Sequence, residues 1–197
     1  MKTMIAADQG FPYASYGLIG MILGHWADPD GYIRRMRSDP HRAVSLHGLD
    51  VPQEVEIVFV VNDRNGFHLR RPPARDTELG RRLSRAMVDG RLFEALCGVM
   101  RCPLRSWSPL PLDDLANRYQ VFLQSTRSDD ELLRRYVTDP WSVLAEHGVD
   151  IPRAVPLKVL VDRPDLIHMV LPAPPSKDRL QEFLAGFPAD APTQPTG

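Results

Sequence analysis

The sequence predicts an α+β fold built from two tandem copies of a small helix-helix-strand-strand-helix unit. Three observations carry that prediction. The chain repeats itself: "YIRRMRSDPHRAVSLHGLDVP" from Tyr32 returns as "LLRRYVTDPWSVLAEHGVDIP" from Leu132, a hundred residues on and without a gap. Between 32 and 73 this offset gives 12 identities in 42 positions, among them Arg34-Arg35, Asp39-Pro40, His47-Gly48, Asp50, Pro52, Val61, His68 and Pro72. Each copy also switches from helix-type to strand-type patterning at the same place. Finally, 197 residues with 43% hydrophobic content suffice for one domain, or two small ones, with a buried core. A period near a hundred is too long for a solenoid unit, so duplication of a small domain is the reading.

The elements follow in order. "SYGLIGMILGHW" before the first copy and "LDDLANRYQVFLQS" before the second are helical in pattern. A short amphipathic helix comes next, with Tyr32, Ile33 and Met36 on its apolar face, answered by Leu132, Leu133 and Tyr136. Ser38 or Thr138 and the Asp that follows are N-cap residues. The Pro after them suits a first helical turn, where a missing N–H costs nothing. This brief helix carries Ala43, Val44 and Leu46, or Val143, Leu144 and Ala145. Gly48 or Gly148 supplies a left-handed C-cap, and Pro52 or Pro152 prevents the helix resuming. The runs "VEIVFVV" and "VPLKVLV" are strands, and "NDRN" and "DRPD" are turns. "GFHLRR" and "LIHMVL" are second strands, so each copy is expected to hold a strand pair packed against its own helices. After the first copy, 77–100 reads as a helix with Leu79, Leu83, Met87, Phe93, Leu96 and Met100 on one face and arginines opposite. After the second, a shorter helix begins at a capping-box-like Ser176.

These elements place the first copy at 1–100, a Pro-rich linker at 101–114, the second copy at 115–187 and a disordered tail at 188–197. The small cores of the two copies are expected to bury their apolar strand faces against each other about a pseudo-twofold axis.

Composition excludes several function classes. A formal charge of −1 gives no global attraction to nucleic acid or acidic membranes, and no run is long enough to span a bilayer. The N-terminal patch is broken by Asp8 and Gln9, unlike a signal peptide, and two cysteines make no secreted framework. A cytoplasmic location is expected. Charge is nevertheless uneven. Between 64 and 105 there are ten arginines against four acids, so that segment is near +6 and the rest near −7. Arg81, Arg82 and Arg85 share one side of the 77–100 helix and are the candidate contact for an acidic protein or peptide partner. No aromatic residue interleaves with the basic ones, which argues against a nucleic-acid platform.

Histidines recur at equivalent places, His47 with His147 and His68 with His168. Repetition could signal two metal sites, but no Asp, Glu or Cys stands beside them at ligand spacing. They are read instead as a C-cap residue that hydrogen-bonds helix-terminal carbonyls and as a half-buried, satisfied strand residue. Cys97 and Cys102 form one C-x4-C pair, too few for a structural zinc site, and read as buried thiols. No G-x-S-x-G, phosphate-binding glycine loop or H-E-x-x-H occurs. Hence no catalytic residue, metal or cofactor is expected.

The order "RRM-x-SDP…HGLDVP-x-EVEIVFV…HL…PP", present twice, resembles the nitrile hydratase alpha subunit. It resembles more closely that fold's leader-peptide relatives, which precede the core peptides of ribosomally made natural products. The resemblance covers about 25–75 and 125–175. It implies a nitrile-hydratase-alpha-like fold and a docking platform for a peptide-modifying enzyme. In the catalytic subunits the second strand runs into a claw of cysteines holding iron or cobalt. Here the exits read "FHLRRPPARD" and "IHMVLPAPPS", without cysteine, which argues against nitrile hydration. The chain also lacks the Gly-Gly cleavage site and Cys-rich core of an ordinary precursor. A non-catalytic recognition or accessory protein is therefore expected. A degenerate subunit of a hydratase-like complex and a precursor with a short C-terminal core are the alternatives, and a homodimer is compatible with all three.

Overall fold

The computed structural model describes residues 17–62, 66–73, 77–79, 112–178 and 180–181. Arg81, Arg82, Arg85, Cys97, Cys102 and the tail from 188 lie outside the described residues, as does most of the expected linker.

The fold mixes helices with small parallel sheets. The first copy runs α1 (Gly17–Ala27), α2 (Pro29–Ser38), α3 (Pro40–Leu46), β1 (Glu56–Val61) and β2 (Phe67–Arg71). The second repeats the order as α4 (Leu112–Ser128), α5 (Asp130–Thr138), α6 (Pro140–Glu146), β3 (Leu157–Val161) and β4 (Leu166–Leu171). Helix α4 therefore begins within the last three residues of the expected linker.

Local chemistry explains the helix boundaries. Asp39 and Asp139 cap α3 and α6, each carboxylate accepting the backbone N–H three residues on, from Arg42 and Ser142. Pro40 and Pro140 fill the first helical position. Ser38 and Thr138 do not cap; their hydroxyls donate back to the carbonyls of Arg35 and Arg134. Gly48 and Gly148 end the helices at φ 78° and 73°, a left-handed conformation that a Cβ would strain. Leu49 N and Val149 N then close onto the carbonyls of Val44 and Leu144. A second glycine is needed for a different reason. A Cβ on Gly24 would collide with the ring of Tyr32, so its absence lets that ring lie on α1.

The strands do not pair within their copies, which corrects the expected arrangement. β1 pairs in parallel with β4, Glu56 facing Leu166 through to Val61 facing Leu171. β2 pairs in parallel with β3, Phe67 facing Leu157 through to Arg71 facing Val161. Remove the hundred-residue offset and both ladders share one register: Ile57 faces Ile167, and Leu157, at position 57 of its own copy, faces Phe67. Exchanging the copies converts one sheet into the other.

The turns show why each hairpin is abandoned. Arg163 and Leu166 do form an antiparallel bridge, with hydrogen bonds of 2.9 and 3.2 Å in the two directions. In an antiparallel ladder, the next hydrogen-bonded pair would be Val161 with His168. Instead the Asp162 carboxylate accepts the His168 N–H at 2.9 Å. In the first copy the Asn62 amide oxygen takes the His68 N–H at 2.8 Å. With that donor taken, the antiparallel ladder stops at the turn, and the parallel ladders between the copies run along the other edge of each strand.

Each core consequently borrows a strand. Tyr32, Met36, Val44, Ile57 and Phe59 of the first copy pack with Ile167, Met169 and Leu171 of β4. Phe122, Tyr136, Val143, Leu144 and Leu157 of the second pack with Leu69 of β2. Burying a side chain of this size contributes roughly 1.5–3 kcal/mol. The exchanged strands therefore bind the copies together through their apolar faces as well as their backbones.

Candidate functional site

The turn that interrupts each hairpin also positions a histidine. Asn62 Oδ1 accepts from His68 Nδ1 at 3.0 Å, and Asp162 Oδ1 accepts from His168 Nδ1 at 2.9 Å. The geometry is shared, but the chemistry is not. Asn62 is neutral, whereas Asp162 is a carboxylate whose side chain is 0% exposed. Burying that charge would be costly without a partner.

Arg70 of the opposite copy supplies it. Its Nε donates to Asp162 Oδ2 at 2.6 Å. Its Nη2 stands 2.5 Å from the same oxygen. Nη2 has no well-aligned acceptor, so its share of the contact is Coulombic rather than hydrogen-bonded. At the equivalent place in the other sheet stand Asn62 and Val170, with no charge to bury.

Two further arginines gather at the same exit. Arg71, the last residue of β2, donates from Nε to Thr126 Oγ1 at 3.3 Å and from Nη2 to Thr126 O at 3.2 Å. Arg127, the next residue of α4, reaches the opposite way and donates from Nη2 to Pro73 O at 3.3 Å. Arg127 Nε is buried without an acceptor. Neither arginine has an Asp or Glu within ion-pair distance among the described residues. Burial, and next the Arg127 charge, hold the Arg71 guanidinium below its ordinary value, while Asp130 and Asp162 offset this in part. Arg70 therefore pairs with the buried carboxylate, while two further half-buried guanidinium groups, Arg71 and Arg127, stand at the same strand exit bonded to Thr126 and Pro73. At the hundred-residue offset, Arg70, Arg71 and Arg127 correspond to Val170, Leu171 and Ala27.

The other recurrent histidines are structural, although not in the expected manner. The His47 backbone N–H bonds the helix-terminal carbonyls of Val44 and Ser45. Its Nε2 instead shares a 2.6 Å hydrogen bond with the Tyr32 hydroxyl in the first core. His147 lies with its ring centroid 4.9 Å from that of Phe122. His168 is satisfied by its turn, as expected of a strand histidine. Its carboxylate–imidazole pair resembles part of an acyl-transfer triad, but among the described residues no Ser, Thr or Cys hydrogen-bonds to that ring. No three of His, Cys, Asp and Glu converge as a metal site among the described residues.

The cluster of Arg70, Arg71, Arg127 and Asp162 was not singled out by sequence reasoning, although Arg70 and Arg71 lie in the basic segment. A signal was available: all four are positions where the aligned copies exchange a charge for a neutral residue. Only the strand exchange brings them to one place. No protein-family model matches the chain, and no match appears among curated proteins or solved structures.

Proposed function

We propose that this chain is a non-catalytic recognition protein, a nitrile-hydratase-alpha-like, leader-type platform on which a peptide or peptide-modifying enzyme docks in the cytoplasm. The twice-repeated motif supports the family reading. One structural observation supports recognition: the repeated scaffold concentrates half-buried arginines at one pole, while the aligned positions of the other pole are neutral. The Arg81, Arg82 and Arg85 side of the 77–100 segment is the basic sequence feature that would meet the acidic face of the partner.

Purification from the native host, followed by intact-mass measurement and identification of co-purifying chains, tests the proposal. A full-length, unmodified chain bound to a peptide-modifying enzyme is the expected result. A hydratase-type partner would instead favour the degenerate-subunit reading. A cleaved or modified tail would identify a precursor. Changing Arg81, Arg82 and Arg85 to Glu should leave thermal stability intact and weaken the complex, with the residual binding less salt-dependent. Unchanged affinity would move the docking face elsewhere.

A further inference from the structure

The arginine cluster is difficult to explain as a fastening device. The other pole makes the same kind of join, between the end of the first helix of a copy and the exit of a strand, with a neutral donor. There Trp26 Nε1 donates to Pro172 O at 3.2 Å, beside the fully buried Leu171. The scaffold thus closes without charge at one end. At the other it half-buries Arg71 and Arg127, whose three hydrogen bonds, at 3.2–3.3 Å, are longer than the usual ~2.9 Å. A buried donor without an acceptor, Arg127 Nε, points to a group that the described residues do not provide.

Charge identifies the class of that group. Asp162 already neutralises Arg70, and among the described residues neither Arg71 nor Arg127 has a carboxylate at ion-pair distance, so two positive charges remain; Asp130, whose charge acts on Arg71, is exposed. Guanidinium forks suit oxyanions because two parallel N–H donors match two oxygens. A monocarboxylate would leave one charge uncompensated, whereas a phosphate group carries about −1.5 to −2 at neutral pH. We propose that Arg71 and Arg127, at the exit of β2 and the end of α4, form a binding site for a phosphate dianion. The group could arrive as free phosphate or as a phosphate monoester. The inference is independent of the docking proposal, because small anions alone can test it.

Thermal unfolding should be followed in inorganic phosphate, glycerol phosphate, acetate and chloride at equal ionic strength, which cancels general screening. Phosphate at about a hundredfold over Kd should raise Tm by roughly 5–10 °C relative to chloride. Acetate should give little. A larger shift with glycerol phosphate than with phosphate would assign a monoester, and the reverse the free ion. Arg71→Leu with Arg127→Ala, which installs the residues of the neutral pole, should abolish the response. The milder Arg127→Gln should reduce it at least tenfold in affinity, and phosphate should shift the Arg71 and Arg127 Nε–Hε resonances of the wild type. Equal responses to acetate and phosphate would overturn the dianion assignment. A full response in the double variant would overturn the site, as would failure of both variants to fold, since the arginines would then be structural.

Discussion

The two poles of this molecule answer one structural problem with different chemistry. At one, Trp26, Leu171, Asn62 and Val170 close the join between a helix end and a strand exit without a buried charge. At the other, Arg127, Arg71, Asp162 and Arg70 surround the corresponding join. The copies agree in element order, in strand register and in the side-chain acceptor, Asn62 or Asp162, that takes the His68 or His168 N–H. Fold and charge have therefore separated: the neutral pole shows what the scaffold requires, and the charged pole shows what has been added to it.

The strongest way to break this comparison is to remove the two turn acceptors in parallel. Asp162→Ala leaves Arg70 without its partner and His168 N–H without its acceptor, so urea denaturation should show a loss of about 3–5 kcal/mol. Asn62→Ala deletes the same turn bond but strands no charge, and should cost about 1–2 kcal/mol. The double change Asp162→Asn with Arg70→Val, which copies the neutral pole, should recover most of the loss. Equal costs for the two single variants would refute the distinction.

The cores offer a second, smaller contrast. The fully buried tyrosine is Tyr32 in one copy and Tyr136, one helical turn later in the aligned sequence, in the other. Tyr32→Phe removes the 2.6 Å bond to the buried His47 and should cost about 1–3 kcal/mol. Tyr136→Phe removes a 3.1 Å bond to Tyr119, which keeps another to Arg70 O at 3.4 Å, and should cost about 0.5–1.5 kcal/mol. The difference is measurable from denaturation midpoints.

Titration separates the copies at both ends of the pH scale. His25 is buried in α1 with neither ring nitrogen in good hydrogen-bond geometry, and burial lowers its pKa despite the opposing influence of the Pro29 carbonyl and Asp30. The unfolded chain takes up that proton first, so stability should fall as pH drops below 6.5 through the lower folded value. Its aligned counterpart is Ser125, and His25→Leu should flatten this acid limb in pH-dependent melting curves. In the second copy, burial pushes the Tyr119 hydroxyl up to about 12 and raises that of Tyr136 further. The folded state then holds protons that the unfolded state has released. Stability should decline as pH rises from 10 towards 12, with these tyrosines silent in the ultraviolet titration until the protein unfolds. Tyr32 is raised by burial as well, so Tyr32→Phe should also moderate the alkaline limb.

The smallest expected effects lie on the surface. Arg134 and Glu131 pair within α5, and Arg35 and Asp28 pair beside α2. These exposed side chains lose entropy when held together and are screened by salt. Neutralising either pair, with Asp28 changed to Asn so that its cap on the Gly31 N–H is kept, should leave the melting temperature almost unchanged, in contrast to Asp162. A large effect at either would mean that exposed charges also distinguish the copies.

Much of the fold was legible in the sequence because it depends on short-range contacts. Asp39 and Asp139 cap backbone N–H groups three residues away, and Gly48 and Gly148 solve a local conformational problem, so their residue types announce the boundaries. The apolar runs around Ile57 and Phe59, or Leu157 and Val159, likewise announced strands, though not which face turns to the core. The candidate site was much less legible. Arg70, Asp162 and Arg127 lie far apart in the chain, and each alone resembles an ordinary surface or turn residue.

The sequence by itself determined the repeated unit, its helix caps and the places of its strands, because neighbouring residues dictate those features. Only the tertiary structure decided which strand lies beside which. Strand edges present chemically similar backbone groups to any partner, so alternation of side chains specifies a face and not a neighbour. Asn62 and Asp162 stop each hairpin by accepting the His68 and His168 N–H, while the parallel ladders between the copies form along the other edge of each strand.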